Sequence, residues 1–230
     1  MSASTDTLAN PLADPAARRS FIYQLFASAL EYPDAEFIGQ IRSGAVADRF
    51  QEVLAGVVSS ANWDALKDAG KEDDALQIEY TRLFDAGVSG PPCALYGGEY
   101  TGARMQTMEE LIRFYNFFSL SMSETPHELP DHLVTELEFL HFLTFRESEL
   151  ARIGEDVTDM QRAERDFIAR HPGRWVPQMF AKLEKQNPMP FFLELARLLL
   201  LFLKHEEESL VAEVGRVPDE VPGEVVKFVN

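Results

Sequence analysis

Apolar residues recur along this chain at every third or fourth position, and nowhere before the C-terminal tail do they alternate as a strand requires. Asp14-Pro15 supplies a capping oxygen followed by a proline at the first helical position, opening a helix through about residue 30. Phe21, Ile22, Leu25, Phe26 and Ala29 form its apolar face, and Tyr32-Pro33 stops it. Further helices are predicted at 34–43 and 47–60, with a connection over 62–70. A helix over 71–84 offers Leu76, Ile78, Tyr80, Leu83 and Phe84 for burial. One over 103–118 offers Met105, Met108, Leu111, Ile112, Tyr115 and Phe118. Another opens at Asp131, where Pro130 ends the preceding loop, and runs to about residue 151 with Leu133, Leu137, Leu140, Phe142 and Leu143 on one face. A charged amphipathic helix follows at 156–170, closed by His171-Pro172-Gly173. A shorter one spans 175–186 with Pro177 in its first turn, and the most apolar, 191–208, comes last.

The fold predicted is all-α, a single-domain helical bundle of roughly eight to ten helices around one core. It spans residues 14–214, between a flexible tail at 1–13 and an extended tail at 215–230. An apolar content of 46% is ample for that core. The net charge of −17 repels phosphate, so the reading is of no nucleic acid among the partners and no stable membrane insertion. A basic or amphipathic partner is attracted instead. The single cysteine, Cys93, excludes an internal disulfide and a cysteine-based zinc cluster. No secretory signal opens the chain, and the run 191–203 carries Glu194 and Arg197, which suits a buried helix rather than a bilayer span. These features point to a soluble intracellular protein.

Candidate chemistry gathers at two places. The segment 88–102 holds four glycines and two prolines and is too irregular for a helix. Its Leu95, Tyr96, Glu99 and Tyr100 combine contact area with polar tips and an acid. The second place is the helix start at Asp131-His132, with Glu136 one turn on. His132 and Glu136, four apart, suit an i, i+4 pair better than a metal site, for no third ligand stands at a diagnostic spacing. Glu138 and His141 form an E-x-x-H, as used by di-iron helical bundles. The other such match, Glu124 to His127, contains Pro126 and lies just before the same helix, so it cannot face the first from a separate one. A di-iron carboxylate enzyme is therefore the alternative reading. The Gly97-Gly98 pair fits no phosphate-cradling motif. What remains is a non-catalytic surface suited to a basic or amphipathic peptide laid in a groove.

Together these residues resemble the TorD/DmsD/NarJ family of molybdoenzyme maturation chaperones. Its signature is similar to Glu128-Leu-Pro-Asp-His-Leu-Val-Thr-Glu-Leu-Glu-Phe139. Phe167 through His171 to Trp175, Pro177 and Phe180 resembles a second family feature, and the start of the last helix at Phe191 a third. Tyr80, Leu83 and Phe84 ahead of the loop also fit, so the resemblance runs from about Phe21 to Glu208. The loop Pro91 to Tyr100 departs from the common form, and with Arg104 and 108–115 is similar to the branch serving dimethylsulfide or ethylbenzene dehydrogenase and selenate or chlorate reductase. The resemblance implies a cytoplasmic chaperone that is not an enzyme and holds no cofactor. Its partners would be the catalytic subunit of a molybdopterin oxidoreductase and that subunit's twin-arginine leader peptide. Client contacts would fall on Leu95, Tyr96, Glu99, Tyr100, Asp131, His132 and Glu136. Asp131 could cap its helix or pair with a leader arginine, since both roles use the same oxygens.

Overall fold

The computed structural model describes residues 11–88, 90–121 and 129–217. Ten α-helical segments occur among them, and the only β pairings there are two isolated bridges. The first helix, α1 (Pro15–Ala29), has Asp14 at its cap, whose side chain accepts the Ala16 amide at 3.2 Å. Asp34 caps α2 (Ala35–Ser43) in the same way, accepting from Phe37 N–H at 2.8 Å. Gly44, at φ 85°, ends α2 in the left-handed region and turns directly into α3 (Ala45–Val53). That helix is shorter than the predicted 47–60, because the chain leaves helical geometry at Leu54.

Helix α4 (Ala75–Tyr80) begins four residues later than predicted and widens into a π-type turn at Thr81–Asp85. Ile78, expected in the core, is 60% exposed. The irregular segment that follows contains one short helix, α5 (Gly98–Thr101), where none was expected. Next comes α6 (Arg104–Phe117), which buries Leu111 and Tyr115 but leaves Met105 and Ile112 exposed, so only two of the six residues of the predicted apolar face are fully buried. The Glu124–His127 motif lies outside the described residues.

Helix α7 (Leu133–Arg152) is packed along α1, and α8 (Thr158–Arg170) lies against α7. Helix α9 (Pro172–Leu183) starts three residues before the predicted position, so Pro177 falls inside it rather than in the first turn. The last helix, α10 (Pro190–Val214), packs against α8 and α9 and runs six residues beyond the predicted end. Residues 11–13, assigned to the loose tail, form a 3-10 turn.

The core runs the length of the bundle and is markedly aromatic. At one end Tyr23, Phe26, Phe50 and Phe202 meet with ring centroids 4.9–5.9 Å apart. At the other, Phe139 packs on Tyr115 at 4.9 Å and on Phe167 at 4.6 Å.

The interior also holds charge. Arg19 of α1 reaches Glu147 of α7 at 2.7 Å and Glu206 of α10 at 2.6 Å, and also bonds Glu164 of α8. Tyr23 O–H donates to Glu206 at 3.2 Å. One guanidinium thus ties four helices, and all three carboxylates are buried. Burial pushes the Glu164 carboxyl well up against the pull of Arg19.

Candidate functional site

The two places singled out in the sequence meet in space. Tyr96 and His132 form an antiparallel bridge, flanked by Gly97 N–H on the Asp131 carbonyl and Leu133 N–H on the Leu95 carbonyl, both at 2.8 Å. The amide of Leu133, the first residue of α7, would otherwise be an orphan of the helix start. The loop carbonyl satisfies it, so the helix opening and the loop fix one another. The rings of Tyr96 and His132 meet edge-on at 4.9 Å.

Asp131 does not cap the helix it precedes. The N-cap of α7 is His132, with extended backbone and no side-chain cap bond. The Asp131 carboxylate instead reaches across the loop, where Oδ2 accepts the Gly98 amide at 3.0 Å at the start of α5. Asp131 is fully buried, and its Oδ1 has no hydrogen-bond partner. Glycines are required for this approach. A Cβ on Gly98 would stand 2.9 Å from Asp131 Oδ2 and 2.7 Å from Arg104 Cγ. A Cβ on Gly97 would stand 2.9 Å from Trp175 Nε1. We expect Gly97→Ala to push the loop off Trp175, read as increased amide exchange at residues 95–101 while the α1–α7 core keeps its protection. Unchanged loop exchange would show that Trp175 yields instead.

Trp175 of α9 organises the floor of the site. It is buried, its Nε1–H donates to Glu136 Oε2 at 3.0 Å, and the Tyr100 ring stacks on it at 5.4 Å. Lys182 Nζ lies 4.4 Å above the outer face of Tyr100, whose hydroxyl donates to the Ala94 carbonyl at 2.8 Å. Burial, and then the nearby Cys93 and Glu99, pushes the Tyr100 hydroxyl up.

Of the seven residues named from sequence, Glu99 is exposed, and it pairs with Arg104 at 3.1 Å. Tyr96 and Tyr100 are half-buried, while Leu95, Asp131, His132 and Glu136 are interior. Glu136 turns to Trp175 rather than serving as the outward-facing partner of His132. Its Oε1 lacks a partner, and burial pushes the carboxyl well up, with Asp131 adding to the effect and Trp175 opposing it. Trp175 and Lys182 were not among the seven. The signal for Trp175 was its place in the run from Phe167 to Phe180 that resembles the family, which core packing explains equally well.

The remaining motifs are structural. His141 Nδ1 lies 2.8 Å from Ser20 Oγ, so half of the E-x-x-H is spent on the α1–α7 contact. Among the described residues no group of three or more His, Cys, Asp or Glu side chains is placed to hold a metal ion. Cys93 is buried, and burial raises its thiol above the usual range. No described helix is long and apolar enough to cross a membrane.

An all-helical body whose loop is stitched to a Pro-Asp-His helix start defines a class. Residues 44–181 match the family model described as "Nitrate reductase delta subunit". The selenate reductase assembly chaperone protein of Thauera selenatis is 36% identical over 157 residues, 67% of this chain and 80% of that protein. The chlorate reductase assembly chaperone protein of Ideonella dechloratans is 39% identical over 129 residues, 53% of this chain and 67% of its own length. A solved structure from Archaeoglobus fulgidus, titled as a redox enzyme maturation protein, superposes with a TM-score of 0.50 at 22% identity, covering 81% of this chain and 93% of that one. This chain belongs to the TorD/NarJ family of redox-enzyme maturation chaperones. The relatives are assembly chaperones, which favours that reading over a di-iron enzyme.

Proposed function

We propose that this protein is a cytoplasmic chaperone, without catalytic turnover, for the apo catalytic subunit of a molybdopterin oxidoreductase. It holds that subunit until its cofactor is inserted, and it reads the subunit's twin-arginine leader at the junction of the 95–100 loop with Asp131-His132. The observation that carries the reading is the stitched loop, in which a buried Asp131 oxygen is left without a partner on a body of net charge −17. A leader that is basic and then apolar complements both the acid and the aromatic floor.

Titration with a twin-arginine leader from a molybdoenzyme gene beside this one tests the proposal. We expect micromolar or tighter binding that weakens as salt rises. No binding to leader or apo-subunit would refute the reading. Asp131→Ala should impair client maturation more than its stability cost explains. That cost is about 1–3 kcal/mol for the stranded Gly98 amide. Asp34→Ala, which removes the α2 cap at about 1 kcal/mol, is the control. Equal harm at equal stability would leave Asp131 a purely structural residue.

A further inference from the structure

A cavity of about 500 Å³ opens between α1, α7, α8 and α10, and none of the seven residues of the loop site lines it. That is the size of an ordinary ligand pocket. Leu12, Pro15 and Val57 give it apolar walls that remain at least partly exposed. Its charged lining is Asp14, Glu147, Glu206 and Glu213 against Arg18 and Arg19.

Both guanidiniums are committed. Arg19 holds Glu147, Glu164 and Glu206, while Arg18 Nε donates to the Val53 carbonyl at 2.8 Å and its other end bonds the Ala55 carbonyl. The acids are less fully used. Asp14 engages both oxygens, on the Ala16 amide and the Ser148 hydroxyl, and Glu147 both of its own, on Arg19 and Gln161. Glu206 is only 3% exposed, yet its bonds from Arg19 and Tyr23 both fall on Oε2. Gln161 likewise bonds Oε2 of Glu213. Among the described residues, Oε1 of Glu206 and Oε1 of Glu213 have no donor. These residues stand seven apart on one face of α10, and a buried carboxylate with an open oxygen calls for a donor. An apolar group carrying one cation fits such a cavity.

The chain's own course supplies a candidate. Arg165 of α8 is 4% exposed and donates to the carbonyls of Val214 and Gly215 at 3.1 and 2.8 Å. The chain therefore leaves α10 held against α8, one turn from Gln161 at the cavity wall. Residues 218–230 follow, outside the described residues. Their last stretch reads Val225-Val226-Lys227-Phe228-Val229, one lysine among apolar side chains, and the acids Asp219, Glu220 and Glu224 all precede it. Residues 1–10, at the other end, hold no lysine or arginine. The stretch from Val217 to Val225 reaches up to about 26–29 Å when extended, ample to cross a cavity of this volume.

We propose that residues 225–229 dock in this cavity of their own chain, with Lys227 on the open oxygens of Glu206 and Glu213 and the neighbouring apolar side chains against Leu12, Pro15 and Val57. The acidic stretch 218–224 stays in solvent. The docked segment covers the Arg19 cluster and ties the end of the chain to the start of α1. This inference stands apart from the leader reading.

The test places a spin label on Asn230→Cys of the isotope-labelled full chain, Cys93 being buried and out of the reagent's reach. Amide signal loss should concentrate at residues 12–16, 57, 147–151 and 205–213, the cavity wall. Lys227→Glu should abolish that pattern, as should Glu213→Lys at an exposed position, and the two combined should restore it by exchanging the charges. Loss spread evenly over the surface, loss unchanged by Lys227→Glu, or a charge exchange that restores nothing overturns the docking. Mixing spin-labelled chain with isotope-labelled, spin-free chain separates the occupants. Cavity-wall loss in that mixture assigns the site to a second copy and overturns docking within one chain, whereas loss confined to the singly prepared sample supports it. None of these outcomes alters the expectation for leader binding.

Discussion

Replacing Arg19 by methionine is expected to cost about 3–5 kcal/mol of stability, as when one partner of a buried ion cluster is removed. The side chain is 18% exposed, and Glu147, Glu164 and Glu206 are 6%, 0% and 3% exposed, so water cannot replace the lost guanidinium. Domains of this kind are stable by only about 5–15 kcal/mol, so the variant should unfold at far lower denaturant. Because the cluster joins α1, α7, α8 and α10, the loss should be global rather than confined to one helix. Adding Glu164→Gln and Glu206→Gln to the methionine variant should recover part of it, since two of the three stranded carboxyls are then replaced by neutral groups. Urea unfolding of the series decides the matter. A loss under about 1 kcal/mol for Arg19→Met would place these contacts with ordinary surface pairs.

The second large effect is at acidic pH and belongs to His171. Its ring is buried between Phe114 and Phe167, with centroids 5.5 and 4.9 Å away, and neither ring nitrogen has a partner. Burial, reinforced by Arg170 and Arg174, holds its pKa down to about 3 from an ordinary 6.5. The unfolded chain takes up a proton below 6.5 that the folded chain refuses. The stability His171 allows is therefore complete above pH 6.5 and falls as pH drops toward 3. At 1.36 kcal/mol per unit, the full window amounts to about 5 kcal/mol, and the step from pH 6.5 to 5 to about 2 kcal/mol. Glu136 and Glu164 act with the opposite sign, since burial raises their folded values and their neutral forms favour folding at acidic pH. Comparing wild type with His171→Leu cancels those terms. The variant should lose about 2 kcal/mol less between pH 6.5 and 5. Parallel stability curves for the two proteins would refute the assignment.

Local chemistry made much of the fold legible. Asp14-Pro15 and Asp34 announce their helices because a capping oxygen and a proline at the first position act within one turn. The errors share a cause, in that periodicity says which residues align but not which neighbour covers them. Ile78 and Met105 sit at the right spacing and remain exposed, with no described element covering them. Pro177 was read as a first-turn residue since helices usually begin at prolines, yet Pro172 takes that place. The site was legible as two pieces, loop and helix start. Their union rests on the Asp131–Gly98 bond across 33 residues, which no local pattern encodes. Asp131 before a leucine-rich helix looks like a cap, and its true partner is the amide of another helix. Arg19 gave a fainter signal: an arginine in register with Tyr23, and glutamates on the inner faces of α7, α8 and α10.

The Leu133 N–H bond to the Leu95 carbonyl also divides the chain in a way that bears on how such proteins diverge. The polypeptide leaves this point, makes α5 and α6, and returns to the same point as α7 begins. Within the excursion, Tyr115 on the Pro130 carbonyl and the buried Leu111 anchor α6. Gly102-Ala103 before that helix and residues 118–121 after it carry none of the described pairing that stitches the loop to the start of α7. Length can change in those connections while the stitched loop keeps its geometry, so α6 and its flanks can diverge without rebuilding the Trp175 floor beneath the loop.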